Sequence, residues 1–161
     1  MRRVLQLYYR FLQGLLTLLM LGLVVPVAMQ VLSRYTGLVP RYIWTEEIAR
    51  FCFVWIIMIG AMIAVRDRTH FDVDLLPHAR SRTLEVLSRL FVHLMIGLAG
   101  LMFLVWGYDF AVLGSRQRSE IASLPMLWIY IAWPVAGATW LLFLVEQVID
   151  DLRFWRQGDP S

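Results

Sequence analysis

A group of charged side chains able to do chemistry lies in WTEEIAR, residues 44–50. Glu46 and Glu47 stand together, Arg50 follows, and the uncharged run FCFVWIIMIGAMIAV begins at once. Paired carboxylates can serve general acid–base catalysis. That work needs a nucleophile, a metal set or a histidine nearby, and none accompanies them on the same side of the chain. On a helix Glu46 sits four residues before Arg50 and Glu47 three before it, so the two carboxylates bracket the guanidinium. The bland arrangement is a self-neutralising cluster in a first helical turn, where the dipole favours acids. The sharper one has a carboxylate or Arg50 reaching a partner helix or loop. Charges within a membrane face protein rather than lipid, which favours the sharper arrangement.

Three other groups offer chemistry. The segment RDRTHFDVDLLPH, residues 66–78, holds His70, Asp72, Asp74 and His78. In an extended stretch Phe71, Val73 and Leu75 face away from the two aspartates. That suits a loop lying against a bilayer better than a metal site, since no defined ligand spacing is present. His93 lies in an apolar run, but bis-histidine haem ligation needs a second histidine at matching depth and there is none, so a hydrogen-bonded packing role is expected. Asp109 stands near the end of another apolar run and is expected to pair with Arg116 or Arg118, or to mark a partner contact. Cys52, the single cysteine, permits neither a disulfide framework nor a paired-thiol site.

The elements that must position these residues are membrane helices. The chain has 161 residues and is 60% apolar, above the roughly 45–50% usual for soluble domains. Its charges are bunched, leaving Phe11–Ser33, Phe51–Val65, Leu90–Tyr108 and Ile121–Val145 without any. A spanning helix takes about 20 apolar residues. The second window is short, about 22 Å of helix against a hydrocarbon core of about 30 Å, so its helix must begin near Trp44. The expected fold is all-α integral membrane, with four spans at about 8–33, 44–66, 78–113 and 125–150. These make one membrane domain, 1–161, with a short tail at 151–161. The N-terminal apolar stretch is too long for a signal peptide and no cleavage site follows, so it reads as a retained span. Pro77 and Pro125 suit first helical turns; Pro26 and Pro134 fall inside spans.

All fifteen basic residues are arginine. Ten flank the N-terminus, the middle loop and the C-terminal tail, and four (Arg34, Arg41, Arg116, Arg118) lie in the other two connections. The imbalance places both termini in the cytoplasm. Because the arginines follow topology rather than forming one basic face, the net charge of +3 implies no nucleic-acid partner; the partner it implies is the lipid bilayer. Midspan positions are apolar or small. Gly60 and Ala64, Gly97 and Gly100, and Ala132 and Ala136 permit close helix approach rather than ion coordination. The two halves do not repeat one another, unlike stand-alone secondary transporters.

An ordered set of residues across these spans resembles a known family. Arg34-Tyr35, Trp44-x-Glu46-Glu47-x-Ala49-Arg50, Trp55, Gly60-Ala61, Arg66 and His70-Phe71-x-Val73-Asp74 are followed by Gly107, Gly114-Ser115, Ser119, Leu124-Pro125, Trp128-x-Tyr130 and Trp133-Pro134-x-Ala136-Gly137. Over about residues 5–150 this is similar to the DctQ-type small membrane subunit of tripartite ATP-independent periplasmic (TRAP) transporters. The resemblance implies a scaffold that is not an enzyme and carries no cofactor, in the cytoplasmic membrane of a bacterium or archaeon. It implies two protein partners. One is a larger TRAP membrane subunit holding the substrate and sodium sites; the other is a periplasmic substrate-binding protein that docks transiently. The cargo it implies is an organic acid or related solute, driven by an ion gradient. Trp44, Glu46, Glu47 and Arg50 then become a partner interface or structural charge cluster. Arg41, Arg116, Arg118 and Glu120 become candidates for touching the binding protein, and Arg66, His70 and Asp74 form a cytoplasmic loop motif. The tail after residue 150 is expected to end the chain as a separate subunit, with no fused large subunit. The alternatives are a membrane anchor of a redox enzyme complex, which needs haem or quinone chemistry, and a self-sufficient channel or transporter, which would conduct alone.

Overall fold

The computed structural model describes residues 2–36, 42–67, 82–119 and 123–156. These residues form helices α1 (Arg2–Tyr35), α2 (Ile43–Arg66), α3 (Arg82–Arg116), α4 (Leu127–Tyr130) and α5 (Ala132–Arg156). Four stretches are long and apolar enough to cross a membrane: Arg3–Tyr35, Trp44–Arg66, Leu90–Arg116 and Leu127–Ile149. The protein is therefore an all-α, multi-pass membrane protein. The second span runs almost as the charge and aromatic limits require, starting one residue before Trp44. The first begins well before residue 8, because nothing in RRVLQLYY breaks a helix once it leaves the apolar zone.

The fourth span departs from a single helix over 125–150. It is interrupted at Ile131, between α4 and α5. Pro134 has no N–H to donate to the Tyr130 carbonyl, so the ladder fails there. The bonds on either side, Ile131 N to Leu127 O at 2.9 Å and Val135 N to Ile131 O at 3.2 Å, keep the chain on course. Pro125 falls just outside α4, in an isolated antiparallel bridge with Arg118. Ser119 N to Leu124 O (2.9 Å) and Met126 N to Gln117 O (3.1 Å) hold that bridge closed. Ser123 takes φ 53° within it, a left-handed value that non-glycine residues adopt at some cost.

α1 packs chiefly on α2, α2 on α5, and α5 on α3, so α1 and α3 form the edges of the bundle. The α3–α5 seam is the tightest. A Cβ placed on Gly137 would meet Gly100 O at 2.6 Å and Leu104 N at 2.7 Å, and one on Gly107 would meet Pro134 N at 2.8 Å. Ala132 and Ala136 are fully buried beside it. Rings fill the seam, with Phe103 4.8 Å from Trp140 and 5.0 Å from Trp133 between centroids. Gly97 and Gly100 also sit close to α5. Gly60 does not behave as its sequence context suggests, because a Cβ there would meet nothing within 4 Å. Among the described residues no atom of a neighbouring helix comes within 4 Å of that position. Elsewhere the bundle is pinned by polar links, Trp55 Nε1 donating to Trp128 O at 2.9 Å and Tyr8 lying 2.9 Å from Thr139 Oγ1. The outer faces of α1 and α3 carry Phe11, Leu18, Leu21, Leu94, Leu98 and Leu101, all exposed, as a lipid-facing surface requires.

Candidate functional site

The expected charge cluster opens α2 at the end of the bundle away from the N-terminus. Its two carboxylates part. Arg50 Nη2 lies 4.0 Å from Glu46 Oε1, with both side chains about two-thirds exposed, while Glu47 is buried at 8%. Successive residues turn by about 100° on a helix, and that rotation sends Glu47 to the bundle side and Glu46 outward. An exposed i,i+4 pair contributes only about 0.3–0.5 kcal/mol. Thr45, buried, donates to Tyr42 O at 2.7 Å, which ties down the helix entry. Trp44 is 44% exposed and tilts against Tyr42 with ring centroids 6.0 Å apart.

Beside this cluster, between the last turns of α1 and the start of α2, lies an open cavity of about 670 Å³. Gln30, Ser33, Arg34, Tyr42, Thr45 and Glu46 are among its walls. Gln30 Nε2 and Ser33 Oγ are buried there with no hydrogen-bond partner among the described residues. Arg116 and Arg118 are exposed at the same end, Arg116 closing α3 and Arg118 in the bridge. Arg41, Glu120, His70 and Asp74 lie outside the described residues, as do Asp72 and His78. Asp109 is exposed and, among the described residues, makes no ion pair with Arg116 or Arg118.

The better-knit polar site is at the N-terminal end. Arg66, grouped with a loop motif by the family resemblance, is the last residue of α2, where the expected span 44–66 also ends, and it folds back into the bundle. Its guanidinium donates to the Leu5 carbonyl of α1 and lies 3.9 Å from Glu146 Oε2 of α5, both side chains 17% exposed. It also lies over two rings, 4.8 Å from the Tyr9 centroid and 5.1 Å from that of Phe143. Gln147, buried at 8%, donates to Val65 O at 2.8 Å, satisfying a carbonyl that the end of α2 leaves open. Tyr9 donates its hydroxyl to the Asp67 carboxylate (2.7 and 2.8 Å) and accepts from Gln13 Nε2 at 2.9 Å. One planar cation thus joins three helices, a task suited to guanidinium and poorly to ammonium.

Sequence reasoning named Arg66 but not Tyr9, Asp67, Glu146 or Gln147. One signal was present, since Glu146 is what ends the uncharged run Ile121–Val145 and Gln147 follows it. Neither site assembles a nucleophile with a base, and among the described residues no three His, Cys, Asp or Glu side chains are placed to share a metal. The geometry suits holding helices together and presenting a charged surface at each end.

Comparison with known proteins agrees with this. Residues 23–154 match the family described as tripartite ATP-independent periplasmic transporters, DctQ component. The chain is similar to the sialic acid TRAP transporter permease protein SiaT of Haemophilus influenzae, 28% identical over 122 residues, which are 75% of this chain and 20% of the relative. It is also similar to the isethionate TRAP transporter permease protein DctMQ of Oleidesulfovibrio alaskensis, 24% identical over 147 residues, 87% of this chain and 23% of that protein. A putative TRAP transporter small permease protein of Haemophilus influenzae is 23% identical over 115 residues, 71% of each chain. The chain therefore spans about a fifth of the first two relatives and most of the third.

Proposed function

This chain belongs to the DctQ family of the tripartite ATP-independent periplasmic transporters, and we propose that it is the scaffold subunit of one, bracing a larger membrane subunit that carries the solute. The observation that carries this is the match over residues 23–154, which takes in α2, α3 and α4 entire, most of α5 and the last third or so of α1. The bundle supports it. Its charged clusters sit at the ends, where they fasten helices, and its middle is packed around the apolar Met58, Ile59, Met62 and Phe143. A transport site would need polar groups at the midplane.

The cargo we propose is an organic acid, captured by a periplasmic binding protein and moved through the larger subunit by an ion gradient. Sialic acid and isethionate, named for two relatives, are both organic acids. The termini and the Arg66 end face the cytoplasm, on the arginine imbalance, and the protein resides in the cytoplasmic membrane. The opposite end then faces the binding protein, offering Arg50, Arg116 and Arg118. Exposed pairs there are weak and salt-screened, which suits transient docking.

A C-terminal tag, mild detergent and identification of what co-purifies test the reading. A stoichiometric, much larger polytopic protein is expected. Recovery of this chain alone, or with a soluble redox subunit, would overturn it. Within that complex Arg50→Ala should lower uptake or complex yield more than Arg118→Ala. Wild-type uptake and yield in Arg50→Ala would end the special role given to the Glu46–Glu47–Arg50 cluster.

A further inference from the structure

We propose that the cavity between the last turns of α1 and the start of α2 holds the headgroup of a zwitterionic phospholipid, its phosphate on the α1 wall and its amine on the α2 wall. The cavity is graded along the helix axis. Val27 lines its deep end, and Arg34, at the close of α1, lines its outer end. Those residues lie about 10 Å apart along α1. The headgroup layer is about 5–8 Å deep on each side of the hydrocarbon, so this stretch of helix passes from acyl-chain depth to phosphate depth. Tyr42 lines the same outer end and tilts against Trp44, a pair of the kind that sits at headgroup level.

The walls match the parts of such a lipid. Gln30 Nε2 and Ser33 Oγ, three residues apart and so on one face of α1, are buried without a partner among the described residues. An unpaired buried polar atom is costly and hydrocarbon offers it nothing, so a polar ligand in the cavity is what these groups lack. Arg34 is exposed and makes no ion pair among the described residues. A guanidinium beside amide and hydroxyl donors is a phosphate-binding set. On the facing wall Glu46 is held only by the loose 4.0 Å contact with Arg50, which leaves its carboxylate able to take an ammonium. A headgroup with negative charge alone would meet Glu46 as a like charge. The volume, about 670 Å³, falls within the roughly 300–1,000 Å³ of small-molecule sites. Free phosphate would leave most of it empty, and would leave Val27 and Val31, both exposed, uncovered where an acyl chain would lie.

The test uses the full chain, purified in detergent and stripped of lipid, and stands apart from the scaffold reading. Short-chain phosphatidylethanolamine, phosphatidylglycerol of the same chain length and inorganic phosphate are added separately, and adducts are counted by native mass spectrometry. One phosphatidylethanolamine adduct is expected, at least about fivefold more abundant than that of phosphatidylglycerol, with none from phosphate. Gln30→Leu and Arg34→Ala should each reduce it at least about fivefold, while Leu98→Ala, on the exposed face of α3, should not. Without lipid, Gln30→Leu should melt no lower than wild type, because it removes the unpartnered amide. Glu46→Gln should bring the two lipids to equal abundance. Wild-type adducts in both Gln30→Leu and Arg34→Ala, binding of phosphatidylglycerol or phosphate equal to that of phosphatidylethanolamine, or no adduct at all would overturn the site. If Gln30→Leu does not fold, Arg34→Ala, altered at an exposed side chain, decides alone.

Discussion

Gly137→Ala is expected to be among the most damaging single methyl groups that can be added to this protein. The new carbon would lie 2.6 Å from Gly100 O and 2.7 Å from Leu104 N, inside any normal contact distance. Both are backbone atoms, so no side chain can swing away, and α5 must separate from α3. Separation also strips contacts from the Phe103, Trp133 and Trp140 rings. Overpacking typically costs about 1–3 kcal/mol, and a clash with backbone on a glycine seam belongs at the upper end. For a chain of this length that is a fall of about 5–10 °C in melting temperature, readable by fluorescence-detected gel filtration of heated detergent extracts. The control is Gly60→Ala. Its Cβ meets nothing within 4 Å, and alanine is the better helix former by up to about 1 kcal/mol, so melting should hold or rise. Wild-type melting in Gly137→Ala would mean that α3 and α5 do not meet as described.

Those two glycines mark the limit of what the sequence discloses. Each stands in an apolar helix with an alanine beside it, and nothing local separates the buried one from the open one. The difference lies in which helices meet, and that is a matter of tertiary packing. Span positions were legible because the apolar runs are long and their ends carry charge and aromatics. The Ile131 break was half legible. Pro134 announced a lost hydrogen bond, but whether neighbours would absorb it depended on α3 lying alongside. The Glu46–Arg50 spacing was readable from helical geometry, and the pair is there. The inward turn of Glu47 was not readable, because it depends on where α2 meets its neighbours.

The two ends of the bundle differ in kind. At the α2 entry, the Glu46–Arg50 pair is exposed and loose, an arrangement that can be remade against another protein at little cost. At the α2 exit, charge is half-sheltered and tied to α1 and α5 at once. The proposed scaffold role, with a transient partner on one side of the membrane, would use both, a surface free to engage and a base that does not shift when it does.

Arg66→Ala should loosen that base, and with it the attachment of α1. The guanidinium's partners come from residues 61 and 80 positions away in sequence, so its loss frees both edges of the contact. Glu146 would keep its charge at 17% exposure with no cation on it, and the Leu5 carbonyl would lose its donor. Removing one member of a fully buried pair costs about 3–5 kcal/mol; for this partly sheltered one, roughly 2–4 kcal/mol is expected. Arg66→Lys should recover only part, because an ammonium cannot serve a carbonyl and a carboxylate while lying flat over Tyr9 and Phe143. Pairing Arg66→Ala with Glu146→Gln should recover more than Arg66→Lys does, since the stranded charge is then gone and the amide can donate. The readouts are melting temperature and the rate at which protease releases the N-terminal segment in detergent. If Glu146→Gln fails to improve Arg66→Ala on either, the ion pair is incidental and Arg66 acts through the Leu5 carbonyl and the two rings alone.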